Sequence, residues 1–115
     1  MTRSEVFDYA RGEYGTEPDY PWGDDSAVLR HESGKWYGLV MRVGRDKLGL
    51  PGEGAVDALN VKCDPMLIGG LLREDGYHKA YHMNKERWIT IRLDGSVSEE
   101  DIRSLIDLSF SLTDK

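Results

Sequence analysis

The chain has 115 residues, a formal net charge of -6 at pH 7 and 39% hydrophobic residues. This length is typical of one globular domain, and the composition excludes a disordered chain, while the short apolar runs exclude a membrane span. The N-terminal residues contain no apolar signal segment, and the single cysteine, Cys63, cannot form an internal disulfide. We therefore expect one domain over residues 1–115, located in the cytoplasm.

The charges are distributed unevenly along the chain. Residues 1–34 contain three cations and eight anions, and residues 93–115 contain two cations and six anions. Residues 35–62 and residues 73–92 each contain five cations and three anions. Acidic ends therefore flank a mildly basic middle, which is where we look for a ligand-binding surface.

The N-terminal residues predict a helix. Thr2 and Glu5 have the spacing of a capping box, in which each side chain accepts a hydrogen bond from a backbone amide at the helix start. Apolar residues follow at helical spacing, and Gly15 stands where a C-cap glycine is expected. The pattern predicts a helix over residues 3–14.

The next segments predict a loop and three strands. Residues 17–25 contain two prolines and a glycine, with Tyr20 and Trp22 as the aromatic anchors of the loop. Residues 27–31 and 35–43 are rich in β-branched, aromatic and aliphatic residues, and a three-residue turn joins them into a predicted hairpin. After a glycine-rich loop, residues 56–63 predict the third strand.

A short second helix is predicted over residues 65–73. Asp64 is suited to the N-cap position and Pro65 to the first helical position, where no backbone donor is lost. Gly69 and Gly70 each weaken such a helix by about 1 kcal/mol relative to alanine. The helix therefore needs tertiary support, or another group must approach its backbone closely.

The last third predicts two more extended segments and a final helix. Residues 78–82 and 88–93 are extended, with a polar turn between them. Ser98 and Asp101 mark the start of the final helix, whose apolar residues recur at helical spacing.

The element order α-β-β-β-α-β-β-α favours an α+β fold, with an antiparallel sheet and helices packed on one face. Strand alternation assigns the side chains to two faces. The expected core face contains Leu29, Tyr37, Leu39, Met41, Leu59, Val61, Ile89, Ile91 and Leu93. The opposite face is basic and aromatic and contains Arg30, Trp36, Arg42, Asn60, Lys62, Trp88, Thr90 and Arg92.

Several motifs resemble the MmcQ/YjbR family, and the resemblance covers nearly the whole chain. The motifs are Tyr20-Pro21-Trp22-Gly23-Asp24-Asp25, Leu59-Asn60-Val61-Lys62-Cys63-Asp64-Pro65, Gly76-Tyr77 with Tyr81-His82-Met83-Asn84-Lys85, and Trp88 with Thr90 and Arg92-Leu93-Asp94-Gly95. The resemblance implies a fold similar to that of CyaY and frataxin, with paired hairpins described as a double wing. It also implies a small cytoplasmic binding protein with DNA as its ligand. The chain departs from a typical nucleic-acid binder because it is acidic overall.

The basic and aromatic face and the adjoining turn supply the candidate nucleic-acid-binding residues. These are Arg42, Lys62, Lys85, Arg87, Arg92, Trp36, Trp88 and Asn84. The cations would neutralise phosphates in weak, salt-sensitive binding, and the tryptophans would stack on bases. Two structural alternatives stay open, namely a solvated face on which cationic stems cover the tryptophans and a turn that Asn84 caps.

Two other functions also stay open. The same face would suit an adaptor module that binds an acidic protein, and the acidic ends of the chain would bind metal weakly, as the acidic helix of frataxins does. The sequence contains no phosphate-binding loop, nucleophile motif or zinc ligand set. We therefore predict no enzyme activity, no cofactor and no dedicated metal site.

Overall fold

The computed structural model describes residues 1–114 as three helices and a five-stranded sheet. The helices are α1 (Arg3–Tyr14), α2 (Pro65–Leu71) and α3 (Glu99–Thr113). The strands are β1 (Ala27–Arg30), β2 (Trp36–Gly44), β3 (Ala55–Lys62), β4 (Tyr77–Lys79) and β5 (Trp88–Arg92), and a 3-10 helix, Arg45–Leu48, follows β2. The predicted α+β class and element order are confirmed. Within the described residues, none of the helices is long and apolar enough to cross a bilayer.

Side-chain caps define the helix starts at the predicted residues. Thr2 and Glu5 form the reciprocal capping box of α1. Asp64 and Ser98 each accept a hydrogen bond from a backbone amide in the first turn of α2 and α3. Each cap satisfies a donor that the helix itself leaves unpaired, which typically contributes about 1 kcal/mol.

The strands lie in the order β1-β2-β3-β5-β4, and every neighbouring pair is antiparallel. The predicted β1–β2 hairpin is therefore confirmed, and β3 occupies the centre of the sheet. At one end of the sheet Lys62 lies opposite Trp88 in the β3–β5 ladder. Trp36 begins β2 at the same end, because Gly38 pairs with Val61.

All three helices pack on one face of the sheet, as predicted, and the main core is buried there. The sheet contributes Leu59, Val61, Ile89 and Ile91, and the helices contribute Val6, Ala10, Ile68, Ile102 and Ile106. We call this side the helix face and the opposite side the outer face.

A β-bulge changes the face assignment in β2. The register of the β1–β2 ladder shifts by one residue at Tyr37. Beyond it Val40 packs in the helix-face core, whereas Leu39 and Met41 lie on the outer face. The prediction that placed Leu39 and Met41 in one core with Tyr37 is wrong, because strict alternation does not hold across a bulge.

The outer face has a second apolar cluster at its centre. The buried members are Val28, Leu39, Met41, Val43 and Ala58, and the partly buried side chains that cover them are Trp36, Leu48, Tyr81 and Met83. Asn60 and Thr90, predicted on this face, are fully buried beneath that cover. The basic and aromatic surface predicted for this face is thus reduced to one edge of it.

The two glycines of α2 face open space. A Cβ atom at Gly69 or Gly70 would meet nothing within 4 Å, so no other part of the described chain occupies the space where a side chain would project. Ile68 supplies the tertiary support that the helix was expected to need, because its side chain is buried in the main core.

Candidate ligand-binding clefts on the outer face

A cleft of about 450 Å³ opens at the end of the sheet where β2 and β5 begin. It is lined by Lys35, Trp36, Lys62, Met83, Trp88, Leu112 and Thr113, and we call it the lysine–tryptophan cleft. It brings together three of the predicted nucleic-acid-binding residues, Trp36, Lys62 and Trp88.

The sheet register places these three side chains in a row. Lys62 and Trp88 are direct cross-strand partners, which places their Cβ atoms about 5 Å apart. Trp36 lies on the neighbouring strand at the same end of the sheet. Lys62 forms no ion pair within residues 1–114, and all three residues are partly exposed. The Lys62 charge and parts of both rings are therefore available to a ligand.

A buried polar network holds the loop that carries Met83 into the cleft. Asn60 Nδ2 donates to the Tyr81 carbonyl oxygen at 2.7 Å, and the Tyr81 amide donates to Thr90 Oγ1 at 2.9 Å. The Thr90 hydroxyl donates in turn to Asn60 Oδ1. Because Asn60 and Thr90 are fully buried, loss of one bond would leave an unsatisfied polar group in the interior. The network therefore fixes this loop against β3 and β5.

The turn after Met83 uses two predicted site residues for its own structure. Asn84 Oδ1 accepts a hydrogen bond from the Glu86 amide at 2.8 Å, which confirms the capping alternative for this residue. Lys85 Nζ donates to the Ala80 carbonyl oxygen at 2.9 Å. Neither side chain lines the cleft.

A second cleft, of about 300 Å³, adjoins the first across Trp36 and Met83. It is lined by Trp22, Asp24, Ser26, Trp36, Leu39, Met41, His82 and Met83, and we call it the Trp22 cleft. Trp22 is 54% exposed and meets Trp36 edge to face, with the ring centroids 5.7 Å apart. All three tryptophans of the chain therefore lie at these two clefts.

Two predicted site residues, Arg42 and Arg92, lie away from both clefts. The bulge in β2 places Arg42 on the helix face, where Nη1 is 3.6 Å from Asp57 Oδ1, so its assignment to the outer face is wrong. Arg92 lies on the outer face, but its side chain is only 8% exposed. It pairs with Asp75 at 2.7 Å and with Asp94 at 3.1 Å. Both guanidinium groups are therefore used in ion pairs outside the clefts.

Arg87, the remaining predicted cation, is exposed directly before Trp88 and lines neither cleft. Sequence reasoning did not include Lys35, Met83 or Trp22 among the site residues. Trp22 had a usable signal, because a tryptophan in a loop rich in proline and glycine has few neighbours to bury it. No sequence signal marked Met83, since periodicity does not reveal how a loop folds over a sheet.

Trp36 is covered by a cationic side chain, as the alternative of a solvated face predicted for the tryptophans. The Arg30 guanidinium carbon lies 5.5 Å from the centroid of the Trp36 ring, and Arg30 pairs with Asp19 at 3.0 Å. Such a contact contributes about 0.5–1 kcal/mol at an exposed site. Among the described residues no cation covers Trp88 in this way. The two rings of the lysine–tryptophan cleft therefore differ: Arg30 lies over the Trp36 ring, whereas no described cation lies over the Trp88 ring.

Many acidic side chains lie on the helix side of the sheet. α3 begins with Glu99, Glu100 and Asp101, and α1 contributes Glu5 in its first turn. Both helices pack on the helix face, and none of these four carboxylates lines the lysine–tryptophan cleft. The acidic balance of the whole chain is thus compatible with a locally positive cleft on the outer face.

Some of the helical carboxylates line a separate cleft of about 370 Å³ between α1 and α3. Arg103 also lines it and lies 3.4 Å from Glu99. Within residues 1–114, no group of three or more His, Cys, Asp or Glu side chains is arranged to hold a metal ion. Weak metal binding by the acidic ends stays a prediction.

Comparison with known proteins identifies relatives over almost the entire chain. The uncharacterized protein YyaQ of Bacillus subtilis (strain 168) is 46% identical over 116 residues, which cover 98% of each chain. A protein from Pseudomonas syringae, solved both as a crystal structure and by solution NMR, is 45% identical. Its crystal structure has a TM-score of 0.95, with 98% of this chain and 99% of that chain covered.

A more distant structure shares the fold. The Deinococcus radiodurans protein DR2400 is 23% identical with a TM-score of 0.76, over 99% of this chain and 79% of its own. The YjbR family model matches residues 12–112. That match includes every strand and every residue that lines the two clefts except Thr113, and it confirms the resemblance drawn from the motifs. This chain therefore belongs to the YjbR family.

Proposed function

We propose that this protein binds single-stranded nucleic acid in the lysine–tryptophan cleft. The observation that supports this most directly is that Trp36, Lys62 and Trp88 line one cleft as neighbours on three strands. Stacking of a base on an aromatic side chain contributes about 1–3 kcal/mol, and a lysine ammonium neutralises a phosphate. A nucleotide strand has both groups that this cleft suits, a planar base to stack on a tryptophan and an adjacent phosphate to pair with Lys62.

The distribution of cations favours a single strand over a duplex. A duplex presents its phosphates in two rows, and a protein that binds it needs several cations spread along one surface. Arg42 lies on the helix face and Arg92 is held in ion pairs, so within residues 1–114 neither arginine extends a row of available cations from Lys62 along the outer face. A cleft with aromatic walls instead suits an unstacked base, which a single strand exposes and a duplex does not.

Tryptophan fluorescence offers a direct test, because all three tryptophans lie at the two clefts. We would titrate the protein with a single-stranded oligonucleotide of about eight nucleotides and with a duplex of the same sequence. Both titrations would be run at about 50 mM and about 200 mM salt. We expect the single strand to quench the fluorescence and to bind more tightly than the duplex, with affinity falling as salt rises.

Two lysine variants test whether binding depends on the lysine in the cleft or only on the overall charge of the protein. Lys62→Gln should weaken binding and reduce the slope of log affinity against log salt by about 0.7, the value for one phosphate contact on a single strand. Lys79→Gln removes an exposed lysine on β4 that lines neither cleft, and it should leave the slope unchanged. Equal effects of the two variants would contradict the proposed site.

Polyglutamate distinguishes this proposal from the adaptor alternative. It supplies negative charge and a peptide backbone without bases. We expect it to compete poorly with the oligonucleotide, since it lacks a ring to stack on Trp88. Polyglutamate binding as tight as that of the oligonucleotide would favour an acidic protein partner. Affinity for all oligonucleotides that does not depend on salt would overturn the electrostatic part of the proposal.

A further inference from the structure

We propose that the Trp22 cleft is a second subsite for the same strand and that it selects a base carrying an exocyclic amino group. Adenine, cytosine and guanine have such a group, whereas thymine and uracil do not. This inference rests on the proposed function and deepens it, because it assigns a base preference to a site that otherwise binds any base by stacking.

The two clefts are placed to receive neighbouring nucleotides. They share Trp36 and Met83 as a common wall, so a strand that leaves one cleft enters the other. The Trp22 and Trp36 rings meet edge to face, with an angle of 78° between their planes, and both rings line the Trp22 cleft. Trp22 is more than half exposed, although a large aromatic ring is normally buried in a monomer of this size.

The charge at the two clefts differs in sign. Lys62, which forms no ion pair within residues 1–114, lines the first cleft, whereas Asp24 lines the second. A carboxylate repels a phosphate, so the phosphate belongs on the Lys62 side and the base alone enters the Trp22 cleft. The strand is thereby oriented across the shared wall.

Asp24 has one oxygen free for a ligand. Its Oδ1 accepts a hydrogen bond from the Ser26 amide at 2.8 Å, which fixes the carboxylate in a turn at the cleft wall. Its Oδ2 has no partner among the described residues. Carboxylates recognise bases by accepting hydrogen bonds from amino groups, as in the pairing of Asp or Glu with cytosine N4. In thymine and uracil the single ring N–H is flanked by two carbonyl oxygens, which a carboxylate repels.

The test compares oligocytidylate and oligothymidylate of about eight nucleotides, as deoxy strands, in the fluorescence titration. We expect the wild-type protein to bind the cytosine strand roughly tenfold more tightly. Asp24→Asn keeps an acceptor oxygen for the Ser26 amide but removes the charge, and it should reduce this preference to less than about threefold, partly by improving thymine binding.

Asp25→Asn is the matched control. Asp25 is the next residue, is also exposed and does not line the cleft, so this variant has the same net charge as Asp24→Asn. It should keep the full base preference.

Equal effects of the two variants, or equal wild-type affinity for the two strands, would overturn the second subsite and leave the proposed function standing. Failure of both strands to bind would overturn the proposed function as well. Thermal unfolding of each variant verifies that the fold is intact.

Discussion

Asn60 and Thr90 lie opposite one another in the β3–β5 ladder, and neither has any solvent exposure. The Thr90 hydroxyl donates to Asn60 Oδ1, and both side chains also bond the backbone of Tyr81. The outer face therefore combines apolar packing with a polar link between the central strands and the loop over them. The placement of Met83 at both clefts depends on this link.

Thr90→Val measures the contribution of this link, because it keeps the side-chain shape and removes the hydroxyl. The Tyr81 amide would lose its acceptor and Asn60 Oδ1 would lose its donor, so we expect the free energy of unfolding to fall by about 1–3 kcal/mol. Urea unfolding gives the value. Ser104→Ala, on the exposed side of α3, is the control and should change stability by less than about 0.5 kcal/mol. A Thr90→Val protein as stable as the wild type would show that the network contributes little.

Gly76 and Gly95 have similar positive φ angles, 96° and 90°, in different surroundings. A Cβ atom at Gly76 would lie 2.5 Å from Val97 Cγ2 and 2.6 Å from Ser96 Oγ, whereas one at Gly95 would meet nothing within 4 Å. Gly95→Ala should therefore lose about 1–2 kcal/mol through backbone strain alone. Gly76→Ala should lose about 1–3 kcal/mol more through overpacking, as thermal or urea unfolding would measure. Equal losses would mean that the two neighbouring side chains move aside without cost.

Cys63 should be unreactive in the folded protein. The residue is only 1% exposed, and burial, together with the neighbouring Asp64 carboxylate, raises the pKa of the thiol. Both effects reduce the accessible thiolate, which is the reacting species. We expect an aromatic disulfide reagent at about pH 8 to modify the native protein more than 100-fold more slowly than the urea-unfolded protein, since modification requires opening of the fold. Similar rates in the two states would contradict the burial of this cysteine.

The elements that could be predicted from sequence are those specified by local chemistry. The capping box of Thr2 and Glu5, the N-caps at Asp64 and Ser98 and the short turn between β1 and β2 depend on neighbouring residues only. The bulge at Tyr37 depends on pairing with another strand, and no periodicity marks it. That single residue accounts for the incorrect faces of Leu39, Met41 and Arg42.

The candidate site was predictable in part for a related reason. Lys62 and Trp88 could be placed together because alternation is regular in β3 and β5. Whether a cation is available for a ligand depends instead on distant partners, and Arg92 is paired with Asp75, which is 17 residues away in the chain. Trp22 reaches Trp36 through a loop, so its place in a cleft required the folded structure.

His78 should make the stability of this protein depend on pH near neutrality. Its Nε2 lies 3.5 Å from Nη1 of Arg92, and burial, with the nearby Arg92 charge, lowers the pKa of His78 below its ordinary value of 6.5. The unfolded chain then binds a proton at a pH where the folded protein does not. The full stability is therefore present above pH 6.5 and is lost as the pH falls from there toward the lower folded-state pKa.

We expect His78→Asn to lose less stability than the wild type between about pH 7.5 and about pH 5.5, because the variant lacks the titrating ring. Urea unfolding at the two pH values gives the two differences. His82→Asn is the matched control, because His82 is exposed and its left-handed backbone, with φ of 62°, is one that asparagine tolerates. This control should keep the pH dependence of the wild type. If His78→Asn instead lost as much stability as the wild type over this range, the titrating group would lie elsewhere in the chain.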